Sequence, residues 1–394
     1  MPACIIYTSG TSGNPKGVIL SHGGILANCE GALELLDPLI KKKDPVFLTW
    51  LPLSHSYEHA VQFIQILIGA KVFYAESLEK LISNMSLAKP TIMTAVPRFY
   101  QNLFNKINTN FTKQSGLKRS LILKTLDLGK KVLNNQQLKP HEKILNFLCQ
   151  LLVRKKIQGQ FGGNLQAFVS GGGALDKNVG EFLNAIGLPT LQGYGLTETS
   201  PVVSCNLPGN IKVETVGPPF RTNQIKIAED GEILVKGENV MLGYWNKEKE
   251  TKEIIKNGWL HTGDIGEIES NGYLKITDRK KDIIVNHGGD NISPSKIENL
   301  ISTNEKIKQC LVYGDKKNYL VALIVVDPKE KKDSTIRSII NDFNKKLSII
   351  EKIKKFKLIE QEFTIENGLM TPTLKLKRKK IIEKYKQDLE NLYS

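Results

Sequence analysis

Residues 7–17 read Tyr-Thr-Ser-Gly-Thr-Ser-Gly-Asn-Pro-Lys-Gly (YTSGTSGNPKG). Glycines let a backbone approach a phosphate closely and turn its N–H groups inward, while Ser and Thr hydroxyls add donors and Lys16 adds a positive charge. The Walker A spacing G-x-x-x-x-G-K-[ST] is absent, because Lys16 is followed by Gly17. The segment therefore predicts an anion-binding turn, with an ordinary loop as the alternative, and a P-loop NTPase fold does not follow from it.

The chain around this loop alternates short apolar runs with segments of helical spacing. Val18 to Leu36 has helical spacing, and Ala60 to Val72 is interpreted as a buried helix because it is too short to span a bilayer. The predicted strands are Ala3–Tyr7, Pro45–Leu51, Val72–Tyr74, Thr91–Val96, Leu165–Ser170 and Thr190–Tyr194. Such alternation predicts a layered α/β domain with a mostly parallel sheet.

From about Val213 the pattern changes to short β runs and turns, which predicts a small β subdomain. A further unit begins near Asp278 and mixes helices with a strand pair. We therefore predict a large domain over residues 1–277, divided into an α/β sheet part (1–205) and a β subdomain (206–277). A small α+β C-terminal domain follows over residues 278–394.

The bulk composition narrows the class of partner. The formal charge of +15 favours anions such as a nucleotide, coenzyme A or acidic lipid head groups, with a lysine-coated surface as the alternative. No nucleic-acid partner is expected, because the basic residues do not interleave with aromatic residues in a recognisable module. Five scattered cysteines without metal-ligand spacing predict free thiols and a cytoplasmic location.

Five ordered blocks carry a resemblance to the adenylate-forming (AMP-binding) superfamily, which includes acyl-CoA synthetases, luciferases and nonribosomal-peptide adenylation domains. YTSGTSGNPKGV resembles the phosphate loop of that superfamily. The other blocks are QGYGLTET (192–199), GWLHTGD (258–264), DRKKD (278–282) with GGDNISP (288–294), and NGLMTPTLKLKR (367–378). Together they cover essentially the whole chain.

The resemblance implies a nucleotide site. Tyr194 offers a ring face for the adenine, with a core tyrosine as the alternative, and Asp264 would accept both ribose hydroxyls, with a turn-forming Asp as the alternative. The implied nucleotide-binding residues are Thr8, Ser9, Gly10, Thr11, Ser12, Gly13, Lys16, Gly171, Gly172, Gly173, Gln192, Gly193, Tyr194, Gly195, Thr197, Asp264 and Arg279.

The implied reaction joins a carboxylate to the α-phosphate of ATP, giving an acyl-AMP and pyrophosphate. Such a site needs cations where negative charge develops. The implied catalytic residues are Lys375, Glu198 and Lys16, and Glu198 with Thr8 would hold Mg²⁺, a hard cation that takes oxygen ligands. The family usually has Thr-Gly-Lys at the catalytic lysine, whereas this chain has Thr373-Leu374-Lys375. We interpret the leucine as a mark of the long-chain subfamily.

The family works by domain alternation, so the C-terminal domain is expected to be mobile about a hinge, which Asp278 matches. After rotation, Gly288, Gly289 and Asp290 would line the path of the coenzyme A pantetheine arm. Members of the family also carry a long segment before the phosphate loop. We therefore expect that the large domain of this chain is incomplete at its N-terminus.

Two features resemble long-chain fatty acyl-CoA synthetases: LPLSHSYEH (51–59) and the helical insertion between Val96 and Gly163. His55 would gate or line an acyl tunnel, with a core histidine as the alternative. The function expected is a long-chain fatty acid–CoA ligase using ATP, Mg²⁺ and coenzyme A. The alternatives are an inactive fragment or split-enzyme half that binds nucleotide, and a fatty acyl-AMP ligase that loads a carrier protein. A homodimer and a peripheral association with the anionic inner membrane face through the basic insertion are left open.

Overall fold

The computed structural model describes residues 1–8, 15–327 and 333–394. The strands, in chain order, are β1 (Pro2–Thr8), β2 (Lys16–Ser21), β3 (Val46–Thr49), β4 (Lys71–Tyr74), β5 (Ile92–Ala95), β6 (Ala167–Ser170), β7 (Thr190–Gly195), β8 (Val202–Cys205), β9 (Asn223–Ile227), β10 (Glu232–Gly237), β11 (Gly243–Tyr244), β12 (Ile255–Lys256), β13 (Trp259–Ile268), β14 (Leu274–Arg279), β15 (Ile284–Val285), β16 (Asn291–Ile292), β17 (Ile307–Tyr313), β18 (Leu320–Val326) and β19 (Ile353–Ile359). The α-helices are α1 (His22–Ile40), α2 (Ser56–Leu67), α3 (Leu81–Ala88), α4 (Pro97–Thr112), α5 (Gly116–Leu133), α6 (Pro140–Cys149), α7 (Lys155–Gln160), α8 (Lys177–Ala185), α9 (Glu248–Ile254), α10 (Pro294–Ile301), α11 (Asp333–Asn344), α12 (Arg378–Lys384) and α13 (Lys386–Asn391).

A six-stranded sheet of order β4-β3-β5-β6-β7-β8 forms the centre of the N-terminal part. Neighbouring strands from β4 to β7 are parallel, and β8 pairs antiparallel with β7. The sheet positions its polar residues at one edge, because the carboxyl ends of parallel strands lie together. The predicted α/β architecture is confirmed.

Alternate residues of these strands supply two cores, one on each face of the sheet, as the period of a strand requires. Phe47, Ile92 and Ala167 face a cluster formed with α1 and α2, which we call the α1–α2 core. Leu48, Met93 and Phe168 face a second cluster formed with α3, α4, α7 and α8. Both faces of the sheet are therefore covered by helices.

The segment after the glycine-rich loop differs from the prediction. Val18 to Leu36 was expected to be helical, but residues 16–21 form β2, which pairs antiparallel with β1 and also with β11. Val18 and Leu20 point into a small cluster with Met241 and Tyr244. Ser21 then starts α1, since its side chain accepts a hydrogen bond from the backbone N–H of Gly24 at 2.9 Å. Pairing with β1 along the whole of β2, and with β11 at Val18 and Ile19, decides the strand.

The remaining sheets are smaller. A five-stranded sheet of order β12-β13-β10-β9, with β14 on β13, corresponds to the β subdomain. The C-terminal part contains the pair β15-β16 and the sheet β17-β18-β19, with α10 and α11 on one face and α12 and α13 on the other. The division between residues 277 and 278 stays our prediction.

The insertion between β5 and β6 is helical, as predicted. It contains α4 to α7, and a π-helical turn at Gln150–Arg154 links α6 to α7. Arg154 is buried and donates to the carbonyl oxygens of Ala185 (2.8 Å) and Thr125 (3.1 Å), which fixes this turn against its neighbours. Within the three described stretches of the chain, no helix is both long and apolar enough to cross a bilayer.

Candidate active site

A cavity of about 2410 Å³ lies at the carboxyl edge of the six-stranded sheet. Its wall takes His55 from the segment after β3, Val96 after β5, Gly171 after β6 and Thr197 after β7. This is where an open parallel sheet usually binds its ligand. The β subdomain and the C-terminal part close the cavity from the other side through Asp264, Arg279 and Lys375, among others.

Asp264 is buried and has two polar partners, the half-buried Tyr194 and the exposed Arg279. Its Oδ1 lies 3.2 Å from Nε of Arg279, and its Oδ2 accepts a hydrogen bond of 2.8 Å from the hydroxyl of Tyr194. Asp264 and Arg279 are directly opposed in the register of β13 and β14. Burial raises the pKa of Asp264 above its ordinary value, although the charge of Arg279 acts in the opposite direction. Each carboxylate oxygen can accept a further hydrogen bond from a ligand hydroxyl.

Lys375 extends into the same cavity. A Cβ atom on Gly172 would lie 3.9 Å from Cε of Lys375, so the lysine is beside the glycine turn that follows β6. Desolvation by the cavity walls, aided by the charge of Arg279, lowers the pKa of Lys375 to about 8, while Asp264 acts in the opposite direction. The catalytic candidate therefore lies beside the nucleotide candidates, although more than ninety residues separate them from it in the sequence.

His55 caps the N-terminus of α2, and its Nδ1 accepts from the backbone N–H of Tyr57 at 3.2 Å. It also lines the cavity. Burial and the nearby charge of Lys375 lower the pKa of His55 to about 4, so the ring is neutral at pH 7. His55 is therefore both a residue of the cavity wall and the cap of α2.

The glycine turn at residues 171–173 is packed tightly on one side. A Cβ atom on Gly171 would lie 2.8 Å from the ring of Tyr57, whose hydroxyl donates to the carbonyl oxygen of Val169 at 2.9 Å. Gly172 has φ of +80°, a left-handed conformation that favours glycine. The turn thus brings backbone, rather than side chains, to the cavity.

Gln192 lines the cavity, and its side-chain amide also makes two hydrogen bonds to the backbone. Its Oε1 accepts from the backbone N–H of Leu175 at 2.7 Å, and its Nε2 donates to the carbonyl oxygen of Thr215 at 3.1 Å. The side chain is buried and braces the glycine turn. Gly193 and Gly195 extend along β7 on the cavity wall, and the hydroxyl of Thr197 lies 3.2 Å from that of Ser56.

Glu198 and Lys16 meet at Tyr244, a residue that the sequence analysis missed. The hydroxyl of Tyr244 donates to Oε1 of Glu198 at 2.7 Å, and Nζ of Lys16 lies 4.6 Å from the centroid of the Tyr244 ring. Tyr244 is on β11, beside β2. Because 46 residues separate Tyr244 from Glu198, no local spacing could indicate the contact.

The oxygen atoms near Glu198 suit a hard cation. A carboxylate has two oxygens, and Tyr244 occupies one lone pair of Oε1, which leaves capacity for Mg²⁺. The hydroxyl of Thr8, also on the cavity wall, is 3.5 Å from the carbonyl oxygen of Lys16. Across the described stretches, no group of three or more His, Cys, Asp and Glu could hold a metal ion.

The hinge candidate Asp278 also lines the cavity, whereas the candidates for the coenzyme A path do not. Ser9, Gly10, Thr11, Ser12 and Gly13 lie outside the described residues. Gly288, Gly289 and Asp290 form an exposed turn between β15 and β16 and are not part of the cavity wall. Asp278 is buried at the end of β14, where its carboxylate accepts from the hydroxyls of Ser293 and Ser295. Its role as a hinge and the pantetheine path stay predictions.

Comparison with known proteins decides the family. The family model for AMP-binding enzymes matches residues 1–245, and the model for the AMP-binding enzyme C-terminal domain matches residues 281–394. The chain belongs to the AMP-binding enzyme family. The predicted membership is confirmed.

Within this family the chain is similar to acid–thiol ligases. It is 33% identical to the long-chain-fatty-acid–CoA ligase FadD15 of Mycobacterium bovis over 417 residues, covering all of this chain and 69% of that protein. It is 34% identical to the peroxisomal long chain acyl-CoA synthetase 6 of Arabidopsis thaliana, covering 99% of this chain and 60% of that protein. The match to these AMP-binding enzymes thus extends along the whole chain.

Solved structures support the fold. The O-succinylbenzoate coenzyme A synthetase of Bacillus subtilis in complex with AMP superposes with a TM-score of 0.69 at 23% identity, covering 97% of this chain and 69% of that one. The adenylation domain of a carboxylate reductase from Mycobacterium chelonae gives a TM-score of 0.75 at 22% identity, covering 99% and 59%. The chain therefore has the fold of the AMP-binding enzymes.

Proposed function

We propose that this AMP-binding enzyme is a long-chain fatty acid–CoA ligase. It would join a fatty acid to the α-phosphate of ATP, release pyrophosphate, and transfer the acyl group from acyl-AMP to the thiol of coenzyme A. The observation that carries the proposal is the position of Lys375 in one cavity with Asp264 and Arg279 on one side and the apolar α1–α2 core on another.

Each polar residue takes a role from its position. Asp264 would accept the ribose hydroxyls, and the Arg279 guanidinium would hold its carboxylate in place. Lys375, protonated below about pH 8, would stabilise the negative charge that develops as the carboxylate attacks the α-phosphate. Glu198, oriented by Tyr244, and Thr8 would hold Mg²⁺, which would neutralise charge on the departing pyrophosphate.

The apolar part of the cavity suits an acyl chain. Leu35, Phe47, Val61 and Ile64 belong to the α1–α2 core and also line the cavity. A hydrocarbon tail that leaves water for such a wall gains about 0.8 kcal/mol per buried methylene group. The carboxylate of the same molecule would then be directed toward Lys375.

Hydroxamate trapping tests the proposal. The chain is incubated with ATP, Mg²⁺ and palmitate, with and without coenzyme A, and both palmitoyl hydroxamate and palmitoyl-CoA are measured. We expect both products, and Lys375→Ala should lower hydroxamate formation about 100- to 1,000-fold. Lys354→Ala, which removes an exposed lysine of β19 outside the cavity wall, is the matched control.

The other outcomes identify the alternatives. Hydroxamate without any palmitoyl-CoA would favour a ligase that loads a carrier protein. Binding of ATP in calorimetry without any hydroxamate would favour a nucleotide-binding fragment or one half of a split enzyme. An equal loss of hydroxamate formation in the Lys375→Ala and Lys354→Ala variants would show that Lys375 is not the catalytic lysine.

We also propose that the insertion rests on an anionic membrane surface, from which the enzyme would take its substrate. Residues 101–160 contain twelve Lys or Arg and two Asp or Glu, and so carry ten of the fifteen net positive charges. Apolar side chains with helical spacing are exposed on α6 and the π-helical turn, namely Ile144 (67%), Phe147 (62%), Leu148 (42%), Leu151 (39%) and Leu152 (60%). Basic and apolar groups together match an acidic lipid interface.

Flotation with vesicles containing anionic lipid at low salt tests this surface. We expect flotation of the wild-type chain, and its loss in the double variant Phe147→Ser/Leu152→Ser. Ile349→Ser, which removes another exposed apolar side chain from a 3-10 turn of the C-terminal part, is the control and should float. If the wild-type chain does not bind the vesicles and light scattering shows a dimer, a second copy of the chain covers the exposed apolar residues of α6 and the π-helical turn instead.

A further inference from the structure

The loop that presents Lys375 has an unusual residue immediately before it. The backbone N–H of Thr371 donates to the carbonyl oxygen of Lys375 at 2.8 Å, and that of Leu374 donates to Thr371 at 2.9 Å. Leu374 closes this turn with φ of +60°. The turn therefore needs a left-handed residue at position 374.

Leucine is an unfavourable choice for such a position. Glycine adopts the left-handed region freely, whereas a side chain with a Cβ atom is rare there and strained. A glycine at 374 would give the same turn without strain. The leucine side chain must therefore supply something that offsets the strained backbone.

The surroundings of Leu374 indicate that its side chain supplies an apolar contact. Its half-buried side chain packs against the α1–α2 core, which is built from residues of the N-terminal part. Leu374 and several members of that core, such as Val61 and Ile64, also line the cavity. One residue after this apolar contact, Lys375 lies beside Gly172.

We propose that Leu374 contacts the acyl chain of the bound fatty acid and so makes the position of Lys375 depend on an apolar substrate. The inference rests on the proposed function and assigns a specificity-determining role to this residue. An acyl chain in the cavity adds apolar contact on the part of Leu374 that the α1–α2 core leaves exposed, and this contact holds the loop in the position where Lys375 reaches the reacting carboxylate. A short acid does not make this contact. Binding energy from the acyl chain, which is remote from the carboxylate, is thus used to position the lysine.

Chain-length selectivity of three variants tests the inference. The ratio of kcat/KM for palmitate to kcat/KM for butyrate is measured by hydroxamate trapping in Leu374→Asn, Leu374→Gly and Leu374→Met. Asparagine and glycine accept a positive φ but remove the apolar contact, so both should lower the ratio about 10- to 100-fold. Methionine keeps an apolar side chain of similar volume and should keep the ratio within about threefold.

Thermal unfolding of each variant confirms that it is folded. A leucine that only shapes the loop would give the same ratio in Leu374→Asn as in the wild type, and that result overturns the inference while the proposed function stands. A wild-type chain that makes no hydroxamate from either acid overturns the proposed function, and this inference with it.

Discussion

Nε of Arg279 lies 3.2 Å from Oδ1 of Asp264, and the electrostatic influence of both residues reaches Lys375. The positive charge of Arg279 lowers the pKa of the lysine, and the negative charge of Asp264 raises it. The paired residues of β13 and β14 thus affect two properties at once: the shape of the proposed ribose site and the fraction of Lys375 that is protonated.

The first prediction concerns pH. The pKa of Lys375 is lowered to about 8, so the ammonium form predominates below pH 8 and is lost as the pH rises above it. We expect kcat/KM for palmitoyl hydroxamate formation to fall on the basic side with a midpoint near pH 8, since kcat/KM reports the free enzyme. Lys375→Arg should remove this limb, because a guanidinium stays charged. An unchanged limb in Lys375→Arg would assign it to another group.

The second prediction separates the two neighbours of the lysine. Arg279→Gln removes a charge that lowers the pKa of Lys375, so the basic limb should move to higher pH. Asp264→Asn removes a charge that raises it, so the limb should move to lower pH. Each variant also loses a charge-assisted contact, and kcat/KM for ATP should fall about 10- to 100-fold. Shifts of the limb in the same direction in both variants would contradict this electrostatic coupling.

Site residues within recognisable blocks could be predicted from the sequence, whereas contacts between segments far apart in the chain could not. Asp264 and Arg279 occur in blocks that the resemblance identified, and a strand pair brings them into register. The contact of Tyr244 with Glu198 and the packing of Leu374 against the α1–α2 core join segments far apart in sequence. Their partners are decided by tertiary packing, which local spacing does not encode.

The strand after the phosphate loop illustrates the same limit in the fold. Val18 to Leu36 keeps helical spacing, yet its first residues pair with β1 and β11. β propensity depends on cross-strand neighbours, and the neighbour on one side comes from residues 243–244. The central strands β3, β5 and β6 were easier to predict, because each is a short apolar run that is mostly buried on both faces.

The third prediction tests the packing below the glycine turn. A Cβ atom on Gly171 would lie 2.8 Å from the Tyr57 ring. The ring cannot move away easily, because its hydroxyl donates a hydrogen bond to the carbonyl oxygen of Val169. Gly171→Ala should lower the free energy of unfolding by about 1–3 kcal/mol. Gly159→Ala is the matched control: nothing lies within 4 Å of its added Cβ, and it should stabilise α7 by about 0.5–1 kcal/mol. Urea unfolding measures both, and equal stability of the two variants would argue against the close contact.

The fourth prediction concerns the cation. The hydroxyl of Tyr244 orients Glu198, the proposed Mg²⁺ ligand. Without this hydrogen bond the carboxylate of Glu198 is less well positioned. Loss of a hydrogen bond that orients a metal ligand lowers metal affinity, so Tyr244→Phe should raise the Mg²⁺ concentration for half-maximal hydroxamate formation about tenfold. Trp245→Phe, at the half-exposed neighbouring position, should leave it near the wild-type value. A Mg²⁺ dependence that is the same in Tyr244→Phe and the wild type would show that the hydroxyl of Tyr244 does not position the metal ligand.

The last prediction concerns Asp278, the proposed hinge. Its carboxylate accepts from the hydroxyls of Ser293 and Ser295 at the start of α10, and its backbone lies opposite Ile265 at the end of β14. Asp278→Pro fixes φ near −65° and so blocks any rotation that needs a change of φ at this residue. The adenylation arrangement, in which Lys375 already lies beside Gly172, needs no such rotation. We therefore expect palmitoyl hydroxamate formation to persist and palmitoyl-CoA formation to fall more than about tenfold. Asp278→Ala loses the same side-chain contacts but keeps a rotatable backbone, so it should retain the wild-type ratio of the two products. Equal loss of both products in Asp278→Pro, or the same ratio in the Pro and Ala variants, would show that the domains do not turn at Asp278.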